Sequence, residues 1–194
     1  MTAMRLAVFC RWPSRPERHG SEHDLGDRGL EQILAEETDG EAILGIYFGT
    51  ASRDSRDAVG LLATTSAAET FVGVEIGDTG PCDPGKYLFL VTFHVPQEDQ
   101  GEFDRWYETE HVARLMEVPG WLRCRRYAVA DHGTTPTRVA LHELASLGAL
   151  ESPLRAAAAA SEWRQQLTKR PWFATGRFDT FTRVAVAGRA SVPS

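Results

Sequence analysis

Apolar and polar positions divide this chain into two halves of unequal clarity. In the second, Tyr87 to Val95 (YLFLVTFHV) is a nearly continuous apolar strand stopped at Pro96. Trp121 to Ala130 (WLRCRRYAVA) and Arg138 to Leu144 (RVALHEL) have strand composition and are joined by the turn-rich DHGTTP. Gly176 to Val186 (GRFDTFTRVAV) alternates as a half-buried strand does. Between the strands, Glu102 to Gly120 has a helix's length and ends at the breaker Pro119–Gly120. Ser152 to Lys169, with its five-alanine run and Pro153 in the first turn, predicts one further helix. The order β-α-β-β-α-β is the ferredoxin-like arrangement, and the expected class is α+β.

The first half is a reduced version of the same order. Met4 to Trp12, Ala42 to Gly49, Ala58 to Thr65 and Thr70 to Ile76 read as strands. Asp27 to Glu37 (DRGLEQILAEE) reads as a short helix with Leu30, Ile33 and Leu34 on one face. The charged, Gly- and Pro-containing run before it holds His19 and His23, four apart. The intervening Gly and the lack of apolar periodicity favour a loop over a metal clasp. Asp78 to Gly85 (DTGPCDPG) sustains neither helix nor strand and marks the boundary. The expected organisation is therefore a reduced α+β half over 1–77, a linker over 78–85, a ferredoxin-like domain over 86–187 and a tail over 188–194.

Composition narrows the functional classes. The 194 residues carry a formal net charge of −6, which argues against nucleic-acid or anionic-membrane partners. No apolar run approaches the roughly 18 residues of a membrane span, and the N-terminal run is too short for a signal peptide. Cys10, Cys82 and Cys124 are widely spaced and odd in number, so no disulfide framework or metal set is expected, and a reducing cytoplasm fits best. No phosphate loop, HExxH, GxSxG or facial triad occurs.

The chemistry gathers on the helix EFDRWYETEHVARLMEVPG. At about 100° per residue, Phe103, Trp106, Tyr107, Glu110, His111 and Arg114 share one arc, with Asp104, Glu108, Thr109 and Val112 outside it. A greasy stripe would carry Leu or Ile at 110 and 114. An acid, an imidazole and a guanidinium there imply either a paired network or a pocket, because unpaired buried polar groups are costly. His111 is the candidate general acid/base, with Glu110 and Arg114 orienting it or holding an oxyanion. The alternative is a Glu110–Arg114 helix ion pair with His111 as packing. Tyr107, Trp106, Tyr127, His94 and His142 are candidate ligand contacts, each with a plain core role as its rival.

The run FDRWYETEHVARLMEVPGW after YLFLVTFHVP, with the later ALHEL, LESPLRA and RPWF, resembles the EthD-like branch of the dimeric α+β-barrel superfamily over about residues 86–187. That resemblance implies an eight-stranded barrel of two ferredoxin-like units, here fused in one chain as an internal pseudo-dimer, with a homodimer as the other assembly open to it. It implies a ligand pocket between sheet and helices, for a small aromatic or polyketide-like molecule. The leading expectation is a cofactor-independent cyclase, isomerase or lyase working by proton transfer. The alternatives are a monooxygenase of the same superfamily, with or without haem, and a non-catalytic ligand-binding or stress-associated barrel.

Overall fold

The computed structural model describes residues 5–14, 31–50, 69–130 and 135–184. The predicted strand at Ala58–Thr65, the His19–His23 run and the tail lie outside the described residues. Eight strands close into one antiparallel barrel: β1 (Arg5–Trp12), β2 (Glu31–Glu37), β3 (Ile43–Thr50), β4 (Glu69–Asp78), β5 (Tyr87–Phe93), β6 (Trp121–Val129), β7 (Arg138–Leu144) and β8 (Arg177–Arg183). Around the barrel the order is β1-β3-β2-β8-β5-β7-β6-β4. The first four strands thus run β4-β1-β3-β2 and the last four β8-β5-β7-β6, the same permutation twice. The seams between them are β2 against β8, and β4 against β6.

The helix expected over 27–37 is instead strand β2 at Glu31–Glu37. Leu30, Ile33 and Leu34 suit a helical stripe, but pairing with β3 on one side and β8 on the other imposes a period of two. Ile33 and Ala35 then point inward and are 2% and 0% exposed.

The barrel is filled, which decides where a ligand cannot be. Phe9 stacks on Phe71 at 5.0 Å and meets the edge of Tyr127 at 5.3 Å, among Leu44, Ile46, Leu90 and Leu141. Small barrels are packed by their own side chains in this way. The opposite face of β5 turns Phe89, Val91 and Phe93 toward the helices of the second half. Apolar residues thus alternate into two different cores, and β5 reads as an unbroken run.

The helical cover of the second half has two parts. Helix α1 (Gln97–Trp106) passes through a π-helical turn (Tyr107–His111) into α2 (Val112–Met116). Gly120 then takes φ +85°, a left-handed turn residue that leads into β6. The predicted single helix at 152–169 is two, α3 (Pro153–Ala159) and α4 (Glu162–Leu167). Ser152 Oγ accepts the Leu154 N–H and starts the first. Ser161 Oγ accepts the Arg164 N–H at 3.3 Å and restarts the second, so a capping serine overrides the alanine propensity before it.

Candidate functional site

The first helix carries one residue more than an α-helical stripe. The Val112 N–H bonds the Tyr107 carbonyl five residues back, and Thr109 Oγ1 donates to the Arg105 carbonyl at 2.8 Å. Every later residue is therefore turned by one position. The two places that α-helical counting assigned to Glu110 and Arg114 fall to His111 and Leu115, and Val112, expected outside, is 8% exposed. The buried residues of the stripe are Phe103, Trp106, Tyr107, Val112 and Leu115, with His111 half-buried among them. Glu110 and Arg114 turn aside into a loose pair at 3.9 Å, with the arginine side chain 48% exposed. π turns of this kind recur at functional sites.

Under the stripe lies a small cleft, with a free interior volume of about 40 Å³, between the outer face of the sheet and the helices. Phe89, Val91 and Phe93 of β5 form its floor, with Trp121 and His142 beside them. Trp106, Tyr107, His111 and Leu115 close one side, Arg155, Ala159 and Arg164 another, and Phe173 and Phe178 the rest. Tyr107 also borders a narrower crevice, with a free interior volume of about 10 Å³, that includes Tyr127. There the cations are already engaged: Arg138 forks onto Asp104 at 2.7 and 2.8 Å, and Arg126 meets Glu108 at 3.4 Å.

A directed hydrogen-bond chain ends in the cleft. A bulge in β6 after Trp121 places its indole against β7. Its Nε1–H donates to His142 Nδ1 at 3.1 Å. An indole nitrogen only donates, so Nδ1 is the acceptor and His142 carries its proton on Nε2. That Nε2–H lies 3.0 Å from the Tyr107 hydroxyl and donates to it. Tyr107 accepts there and keeps its own O–H free to donate. The order Trp121→His142→Tyr107 is fixed by the first donor.

Burial sets the charge state of each member. His142 is wholly buried, and desolvation lowers its pKa to about 3, so it stays neutral as the chain requires. Desolvation raises the Tyr107 pKa well above the ordinary phenol value, which keeps it a donor. His111 lies stacked on Trp106 at 4.5 Å and edge-on to Tyr107 at 5.0 Å. Desolvation first, then the charges of Arg164, Arg155 and Arg114, lower its pKa to about 3. Its Nδ1 is buried without a hydrogen-bond partner among the described residues.

Of the residues singled out in the sequence, His111, Tyr107, Trp106 and His142 meet at this cleft, and Glu110 and Arg114 do not. His94 lies past the end of β5, its Nδ1 3.0 Å from the Thr135 carbonyl. Tyr127 points into the barrel, and its hydroxyl has no hydrogen-bond partner among the described residues. On β8, Asp179 pairs with Arg11 at 3.1 Å and Arg183 with Glu143. Sequence reasoning passed over Trp121, Arg155 and Arg164. The first is signalled only by a bulge, and the arginines by the serine that splits their helix.

No family model matches the chain, and no curated protein matches it. Solved structures do resemble it. An anthrone oxidase-like protein superposes with TM-score 0.62 at 13% identity, over 93% of this chain and 92% of that one. A ferredoxin fold protein of Listeria monocytogenes, related to antibiotic biosynthesis monooxygenases, gives 0.60 at 10%, over 95% and 97%. A heme-degrading enzyme of Listeria monocytogenes gives 0.53 at 10%, over 91% and 98%. At these identities the likeness is one of fold: this chain has the ferredoxin-like α+β barrel of those structures. No helix among the described residues is long and apolar enough to cross a membrane.

His142 is not available to a haem iron, because both of its ring nitrogens are engaged. His111 stacks on Trp106 with its Nδ1 buried. Among the described residues no group of three His, Cys, Asp or Glu is placed to hold a metal.

Proposed function

We propose that this chain is an enzyme of the monooxygenase kind within its superfamily, oxidising a small aromatic ketone with an enolisable CH₂, of the anthrone type. The observation that carries this is the Tyr107 hydroxyl. It accepts from a neutral His142 and so presents its proton to a ligand oxygen in an aromatic-walled cleft. His111 takes the proton from the substrate carbon as negative charge develops beside it, which opposes the burial and guanidinium charges that otherwise lower its pKa, and Tyr107 stabilises the enolate oxygen. The electron pair on carbon then adds to O₂. Breaking the O–O bond leaves one oxygen on carbon as a carbonyl and the other as water, with both hydrogens of the CH₂ accounted for. No reductant is needed. Neighbours that are anthrone oxidase-like and monooxygenase-related support this over the cyclase, isomerase or lyase reading.

Incubation of the purified protein with an anthrone, following quinone absorbance and O₂ uptake together, tests it. One O₂ per quinone is expected, and Tyr107→Phe lowers kcat/KM about 10²-fold or more, the usual cost of one oxyanion donor. Full turnover by Tyr107→Phe refutes the role of the hydroxyl. Product formed without oxygen moves the chemistry to proton transfer alone, in which His111 suffices.

The EthD-like sequence resemblance over 86–187 and the doubled strand order belong to the same proposal: two ferredoxin-like units fused as a pseudo-dimer, with the working cleft on the second.

A further inference from the structure

Most of the described cations in this acidic chain have an acid beside them. Arg123 binds Asp78, Arg125 and Arg183 bind Glu143, Arg138 binds Asp104, and Arg177 binds Glu69. Arg155 and Arg164, like Lys86, Arg105 and Lys169, have no ion pair among the described residues, and of these five only the two arginines line the cleft, where no Asp or Glu stands. Arg164 is also held in place, donating to the Ala159 carbonyl at 2.9 Å and lying 5.3 Å over the Phe173 ring. A cation fixed before a ligand arrives loses little freedom on binding. The two charges oppose each other as well: burial and the neighbouring Arg155 charge hold the Arg164 pKa below its ordinary value. The groups that face them across the cleft, Tyr107 and His111, are neutral.

Resting on the assignment of this cleft as the reactive site, we propose that its substrate carries a permanently ionised carboxylate, clamped by Arg155 and Arg164 on the α3–α4 side and distinct from the oxygen that meets Tyr107. The ligand class is an aromatic or fused-ring carboxylate. Apolar walls take the rings. The planar guanidinium fork matches a carboxylate's two oxygens. The cleft thus reads both ends of one molecule.

Isothermal titration calorimetry with 2-naphthoate and 2-naphthamide separates ring binding from charge recognition. The wild-type protein is expected to bind the carboxylate about tenfold or more tightly than the amide, the usual worth of a hydrogen bond to a charged group. Added salt should weaken the carboxylate and leave the amide alone. Arg155→Gln and Arg164→Gln, shown folded by circular dichroism, should each remove most of the preference without changing amide affinity. Equal binding of the two probes by the wild-type protein overturns the carboxylate clamp while leaving the aromatic cleft standing. A preference that survives both arginine variants overturns it as well. Failure of both probes to bind removes the clamp and the proposed site together. The wild-type comparison decides the matter even where a variant does not fold.

Discussion

His142 makes stability depend on pH in a direction that the structure dictates. In the unfolded chain a histidine takes its proton near pH ~6.5, whereas in the fold burial lowers this one to about 3. Above pH ~6.5 both states are neutral and the residue contributes no pH dependence. As pH falls below that value the unfolded chain binds a proton that the folded chain refuses, so stability drops. The loss approaches about 1.4 kcal/mol per pH unit and continues until the folded pKa is reached. Between pH ~7.5 and ~5.5 it comes to about 1.4 kcal/mol for His142 alone, because the folded state stays unprotonated across the whole interval. His111 is lowered to about 3 as well and adds a share of the same sign. The measurement is urea unfolding at several pH values, followed by tryptophan fluorescence, for the wild-type protein and for His142→Gln. The glutamine cannot take the proton, yet it keeps an acceptor for Trp121 or a donor for Tyr107. Its absolute stability can differ from that of the wild-type protein; the slope is what counts. The variant should lose about 1.4 kcal/mol less than the wild-type protein over the interval. Equal losses would mean that His142 is not held neutral, and the direction assigned to the Trp121–His142–Tyr107 chain would fall with it.

Two further perturbations probe the barrel that carries the cleft. Glu143 is 3% exposed and receives Arg125, Arg183 and the Gly85 N–H, so Glu143→Gln leaves buried cations uncompensated. It should lower unfolding stability by about 3–5 kcal/mol in urea titration, and a change below about 1 kcal/mol would show the cluster to be solvated. At Gly85 an added Cβ would stand 2.8 Å and 2.9 Å from the Leu144 backbone N and O, which cannot rotate away. Gly85→Ala should therefore cost about 1–3 kcal/mol by thermal or urea unfolding, and an unchanged midpoint would contradict that close approach.

Much of the barrel was legible in the chain, and the misses have physical causes. β5 and β7 were visible because both their faces are buried, which makes runs such as YLFLVTF apolar throughout. For the same reason their faces could not be told apart, since period two carries no signal when both sides are greasy. β2 was hidden because Leu30, Ile33 and Leu34 satisfy helical spacing locally, and only its neighbours β3 and β8 make it a strand. The site was half legible. His111, Tyr107 and Trp106 stood out as polar or aromatic residues on a face that should be plain, but the π turn moved the stripe off Glu110 and Arg114. A constant angle per residue cannot register an extra residue in one turn. Arg155 and Arg164 drew no notice in a single predicted helix, and it is Ser161 that breaks that helix, with both side chains lining the cleft.

The barrel closes through β2–β8 and β4–β6 within a single chain. A barrel assembled from two separate chains has a dissociation constant, and its pocket walls loosen as the protein is diluted. Here both seams are held at the effective concentration of a tether, so the floor of the cleft is independent of how much protein is present. Closure of the barrel should therefore need no second chain, and its unfolding midpoint should not shift on dilution.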